Sequence, residues 1–206
     1  MARGKGSKDD SFRGVWQDLK KELKLQGAIL FGFVAFIWLL EVVDQIVFGG
    51  GLDRFGIQPR SVVGLRGIVL APILHGGFGH LAANTGGLIV LGWFVMLRKT
   101  AHFFVVGAIC AIVGGIGVWL IGASSSTHIG SSIVIFGFLG YLLLRGFFDR
   151  RWLVMAGSVV VGLLYGGALF GLLPGQPGVS WEGHLFGFVG GVLAARLLRP
   201  GASAAR

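Results

Sequence analysis

The sequence predicts an all-α integral membrane protein built as a bundle of six transmembrane helices. Hydrophobic residues make up 54% of its 206 residues and charged residues only 13%, a composition unsuited to a soluble domain of this length. Crossing the bilayer core takes about 20 apolar residues in a helix. Continuously apolar runs of that kind occur at 27–48, 78–97, 101–121, 129–147, 152–172 and 181–198. The chain therefore divides into an N-terminal segment (1–26), a six-span domain (27–199) and a tail (200–206).

The N-terminal segment is basic and too polar for a cleaved signal peptide, which would need an apolar region of its own. Its apolar residues recur at three- and four-residue spacing beside lysines, which favours an amphipathic helix lying on the cytoplasmic lipid surface. A basic tail without fixed structure is the alternative. The spacing is carried by Phe12, Val15, Trp16, Leu19 and Leu23.

The net charge of +9 is explained by membrane topology rather than by nucleic-acid binding. Only Arg54, Arg60 and Arg66 lie in the loops on one side of the predicted bundle, which leaves 15 of the 18 cations on the other side. The positive-inside rule then predicts a multi-pass protein of the cell membrane with both termini in the cytoplasm. The lipid bilayer is the expected partner, and nucleic acid is not.

The second span opens with polar side chains. His80 and Asn84 are four residues apart and share a helix face, and His75 precedes them. They could donate hydrogen bonds to a developing negative charge, or could bond only each other or nearby carbonyls. A metal site is disfavoured because no carboxylate accompanies the histidines and no His-Glu-x-x-His pattern occurs.

The fourth and sixth spans each open with a potential catalytic group. Ser132 follows Gly130 at the head of the fourth span, and His184 stands at the head of the sixth. At about 1.5 Å of rise per residue, Asn84, Ser132 and His184 would lie roughly 5 to 10 Å below the outer surface. This shared depth predicts one water-accessible site that opens to the outer face. His128, in the loop before Ser132, is the competing candidate for a base.

These motifs resemble the rhomboid family of intramembrane serine proteases. They are His75, His80-x-x-x-Asn84, Gly130-Ser131-Ser132 and His184-x-x-Gly187-x-x-x-Gly191, and their order and topology cover about 27–198.

The resemblance implies a rhomboid-like bundle of six helices that hydrolyses peptide bonds near the outer membrane face. Ser132 would be the nucleophile and His184 the general base. The oxyanion would be stabilised by His80, Asn84 and the Ser132 amide. The expected substrates are single-spanning membrane proteins, and no cofactor or metal is expected.

No acid is well placed to complete a triad, so the sequence predicts a Ser-His dyad. Gly130 and Gly187 would support close packing, and Phe136, where many relatives have tyrosine, would pack on His184.

One departure bears on activity. Ile133 stands where the family pattern has glycine, and it could narrow the site or push the fourth and sixth spans apart. Alternatively, its neighbours could have adapted to it. An inactive rhomboid-like protein that binds membrane clients, or a small transporter, therefore remains an alternative function.

Overall fold

The computed structural model describes residues 6–199, with side chains from residue 12 onward. These residues form helices joined by turns and one isolated antiparallel β-bridge. The α-helices are α1 (Gly6–Val43), α2 (Gly67–Leu70), α3 (Phe78–Met96), α4 (His102–Ile121), α5 (Ser132–Asp149), α6 (Trp152–Tyr165) and α7 (Trp181–Leu197).

Among residues 6–199, five helical segments are long and apolar enough to cross a membrane, which is consistent with a multi-pass membrane protein. They are Phe12–Phe48, Phe78–Met96, His102–Ile121, Ser132–Asp149 and Trp152–Leu172. The sixth predicted span corresponds to α7, which has 17 residues. An all-helical membrane fold is thus confirmed, whereas the sixth crossing stays a prediction.

Helix α1 joins the N-terminal segment to the first span without a break. It contains 38 residues, and a π-helical turn, Asp44–Phe48, extends it. Phe12, Val15 and Trp16 are exposed along its first half. The predicted boundary at residue 26 is therefore not a break in the helix. The proposed contact of this segment with the lipid surface stays a prediction.

The chain from Gly49 to Gly77 packs over one end of the bundle through short helices, among them the 3-10 turns Gly51–Phe55, Val63–Arg66 and Ala71–Ile73. Arg60 donates hydrogen bonds to the carbonyls of Leu120 and Gly122, which close the end of α4. The β-bridge pairs Ile57 with His128, so this connection also holds the loop that precedes α5.

Helix α7 packs against both α4 and α5 at backbone-to-backbone distance. Glycines make this possible, because a side chain at Gly191 would collide with the backbone of Gly137, and one at Gly190 would meet the backbone of Cys110. Helices α3, α5 and α7 begin at the same end of the bundle, which we call the site end.

Candidate active site

The start of α5 separates two adjacent serines. Gly130 has a φ of 112°, which favours glycine, and a Cβ there would lie 2.7 Å from the His80 ring. The helix therefore begins at Ser132, three residues later than the apolar run predicted. Ser131, the N-cap residue, is buried and bonds His75 Nε2 at 3.1 Å, whereas Ser132 lines an open cavity.

His75 thus supports the loop before α5 rather than lining that cavity. Its ring is buried, and its Nε2 also accepts a hydrogen bond from the Ser131 amide at 3.4 Å. Burial, followed by the proximity of His80, lowers the pKa of His75 to about 4. A neutral His75 therefore holds Ser131 away from the cavity.

Helix α3 presents two potential donors to the cavity. His80 Nδ1 accepts a hydrogen bond from the Gly76 amide at 3.4 Å. In the neutral ring its Nε2 then carries the proton and can donate. Asn84 is buried, and among the described residues its Nδ2 atom has no hydrogen-bond partner. A buried amide N–H group without an acceptor costs free energy of folding unless a bound group accepts its hydrogen bond.

His184, on the first turn of α7, is fixed on two sides. Its Nδ1 lies 3.0 Å from the Gly171 carbonyl oxygen. Because a carbonyl only accepts, Nδ1 must donate, and Nε2 of the neutral ring keeps a lone pair. Phe136 stacks on the imidazole, with the ring centroids 3.9 Å apart and the planes at 10°. The expected packing of Phe136 on His184 is therefore present.

These side chains line one cavity of about 620 Å³ at the site end. Among the described residues, Ser132 and His184 line it together but share no hydrogen bond. Their pairing as a Ser-His dyad therefore stays a prediction. The lining comprises Gly76, His80, Asn84, Ser126, Thr127, His128, Ile129, Ser132, Phe136, Gly178, Val179, Ser180 and His184.

Ile133 points away from the cavity, into the protein core. Its side chain is 3% exposed and packs with Ile57, Ala71 and Val118. Glycines of the neighbouring helices make room for it, because a Cβ at Gly183 would lie 3.0 Å from Ile133 Cγ1, and one at position 114 or 187 would also collide with Ile133. Of the two alternatives for Ile133, the structure therefore favours adaptation of its neighbours over separation of α5 and α7, because Gly187 lies directly on the Ile133 backbone.

No acid joins His184 among the described residues. Asp149 lies at the far end of α5, where it accepts hydrogen bonds from Arg98 at 2.9 Å and Arg145 at 3.2 Å. The cavity therefore offers a hydroxyl, imidazoles and an amide without a buried carboxylate partner.

Sequence reasoning missed the polar network beside the cavity. His128 lies in the loop, as expected, and both of its ring nitrogens are bonded, to Ser126 and to Ser180. Ser180 could have been found as a potential N-cap residue before an apolar run, since it accepts from the Gly183 amide. No local signal pairs Ser180 with a histidine 52 residues away.

The fold defines a multi-pass helical membrane protein, and the cavity brings serine and histidine together within it. A model of the rhomboid domain matches residues 63–201. An uncharacterized protein of Mycobacterium tuberculosis is 46% identical over 181 residues, which cover 84% of this chain and 75% of that protein. One of Mycobacterium leprae is 42% identical over 180 residues, with 84% and 71% covered.

A Bacillus subtilis protein named "Putative rhomboid protease YdcA" is 31% identical over 180 residues, which cover 82% of this chain and 89% of that protein. The chain belongs to the rhomboid family. The resemblance inferred from the sequence motifs is thereby confirmed.

Proposed function

We propose that this protein is an intramembrane serine endopeptidase in which Ser132 is the nucleophile and His184 the general base. The observation that carries the proposal is the cavity itself. Three helices, α3, α5 and α7, each bring a polar group from an early turn to the same space. Isolated polar residues with a purely structural role would bond to neighbours, whereas the Asn84 amide keeps an unused donor.

The state of His184 suits a base. With Nδ1 donating to Gly171, the Nε2 lone pair is the acceptor that a serine proton requires. The Phe136 stack restricts ring rotation and holds the imidazole against the face of α5 that also carries Ser132, four residues earlier. The hydrogen bond between a nucleophile and its base is often long in the absence of substrate and shortens when it binds.

The oxyanion would meet donors from two helices. Asn84 Nδ2 and His80 Nε2 come from α3, and the Ser132 amide belongs to the first turn of α5, where backbone N–H groups lack intrahelical partners. The positive end of the helix dipole adds to this stabilisation.

The reaction follows from these roles. Ser132 Oγ attacks the scissile carbonyl carbon while His184 Nε2 takes its proton. The tetrahedral intermediate collapses as His184 returns that proton to the leaving amine, and an acyl-enzyme remains. Water, deprotonated by His184, then attacks the ester carbonyl, and His184 returns the proton to Ser132 Oγ as the ester bond breaks and the second product leaves as a carboxylic acid.

The proposal includes an orientation and a substrate class. The cation distribution supports cytoplasmic termini in a cell membrane, with the site end facing outward. A site near that boundary would accept single-spanning proteins whose helices unwind locally, because their backbone hydrogen bonds must open before attack.

Labelling by a fluorophosphonate, which reacts with activated serines, tests the proposal. In proteoliposomes the parent should label and cleave transmembrane substrates, whereas Ser132→Ala and His184→Ala should do neither. Ser131→Ala is the matched control, since it removes a neighbouring hydroxyl that points away from the cavity, and it should still label. If the parent neither labels nor exceeds Ser132→Ala on several substrates, an inactive client-binding protein replaces the proposal.

A further inference from the structure

A chain of hydrogen bonds crosses the site end between the loop before α5 and the start of α7. His128 Nδ1 lies 2.6 Å from Ser180 Oγ, and His128 Nε2 lies 2.7 Å from Ser126 Oγ. We call these three residues the His128 brace. All three line the cavity that holds Ser132 and His184, yet none has a role in the proposed reaction.

The protons of the brace have one consistent arrangement. Ser126 Oγ donates its only proton to the Ala123 carbonyl, so it must accept from His128 Nε2. A neutral His128 then has an unprotonated Nδ1, which accepts from Ser180 Oγ. Ser180 Oγ in turn accepts from the Gly183 amide at 3.2 Å. Burial lowers the pKa of His128 although Glu182 raises it, which favours this neutral form.

The brace joins the loop that leads into α5 to the first turn of α7. The His128 backbone pairs with Ile57 through two hydrogen bonds of 2.9 Å, four residues before Ser132. At the other end the Ser180 carbonyl accepts the His184 amide at 3.1 Å. Ser180 therefore binds His128 through its side chain and His184 through its backbone.

We propose that His128 is a positioning residue, which sets the start of α7, and with it His184, relative to Ser132 through its bond to Ser180. This inference rests on the proposed function. Ser132 and His184 lie on helices joined by a long connection through α6, so their separation depends on contacts across the site end. A displacement of about 1 Å from productive geometry can cost about 10² in rate.

Two substitutions of His128 each keep one of its two side-chain hydrogen bonds and remove the other. Asparagine places a polar atom near the Nδ1 position and can still bind Ser180, whereas glutamine reaches the Nε2 position and binds only Ser126. We expect His128→Gln to lower kcat about tenfold with KM within about twofold, because the change displaces His184 relative to Ser132 and removes no proposed oxyanion donor. His128→Asn should stay within about threefold of the parent. Ser126→Ala, which cuts only the far bond, should behave like His128→Asn.

Hydrogen exchange supplies a readout that does not depend on activity. In His128→Gln the amides of Gly183 and His184 should exchange about tenfold faster while those of α3 and α5 stay unchanged. A uniform rise across the bundle would make His128 a folding residue and overturn the inference. Unchanged exchange, or equal kcat in the two His128 variants, would overturn it as well.

The two proposals fail separately. If the parent is no more active than Ser132→Ala, the protease assignment fails. If the parent is active and depends on Ser132 and His184, but His128→Gln equals it, only the brace is wrong.

Discussion

Replacing Ile133 by glycine restores the residue of the family pattern, yet we expect it to harm this protein. The Ile133 side chain is 3% exposed and fills a niche formed by glycines of α4 and α7. Deleting it loses the packing of the side chain and leaves a cavity, and large-to-small changes of this kind cost about 2 to 5 kcal/mol. Added glycine flexibility costs at most about 1 kcal/mol more. The total of about 3 to 6 kcal/mol corresponds to a Tm lower by roughly 6 to 24 °C.

Ile116→Gly is the matched control, because Ile116 is 44% exposed on α4 and its removal leaves no void. It reports the backbone cost alone, expected at about 1 kcal/mol. Thermal unfolding in detergent measures both variants against the parent, and proteoliposome cleavage measures activity, which should be equal or lower in Ile133→Gly. If Ile133→Gly is as stable as Ile116→Gly, or cleaves faster than the parent, the inference that the neighbouring glycines have adapted to the Ile133 side chain is wrong.

Three further predictions concern the proposed oxyanion donor Asn84, the membrane topology, and Asp53 in the connection between α1 and α3. Asn84→Ala should lower kcat about 10²- to 10³-fold in the cleavage assay, because one preorganised oxyanion donor is lost. Cysteines introduced at Gln176 and Ser125 should react with an impermeant thiol reagent added outside intact cells, and one at Arg150 should not. The reverse pattern would mean that the site end faces the cytoplasm. Burial, followed by the nearby Asp44 and Glu41, raises the pKa of Asp53 to about 6. Relative to Asp53→Asn, the parent should therefore lose stability as the pH rises from about 4 to about 6, and the difference in Tm between the two proteins, followed from pH 4 to 8, should change over that range and stay constant above it.

The sequence was sufficient for the helices and for the residues at their heads. Apolar length identified five helices long enough to cross a membrane, and four-residue spacing placed His80 and Asn84 on one face, where the structure has them. Helix starts were less accurate, since the run beginning at 129 ignores the conformation of Gly130, which keeps residues before Ser132 out of the helix. Hydrophobicity records where a segment is apolar and not where its backbone turns.

Apart from the packing of Phe136 on His184, which the family resemblance implied, contacts between distant segments could not be predicted. Whether Ile133 crowds the site depends on Gly114 and Gly183, which belong to other helices and are unremarkable among the 38 glycines of the chain. The hydrogen bond between His128 and Ser180 likewise joins residues that are far apart in the sequence. A single sequence contains both partners of such a pair but no periodicity that joins them.

The length of α1 has a practical consequence for imaging. At about 1.5 Å per residue its 38 residues span about 57 Å, against about 30 Å for the hydrocarbon core. Even a tilt of about 40° leaves more than one turn beyond the hydrocarbon core. A helical domain fused in register at Phe12 would thus be held rigidly to the bundle, as a fiducial for aligning particles of so small a membrane protein.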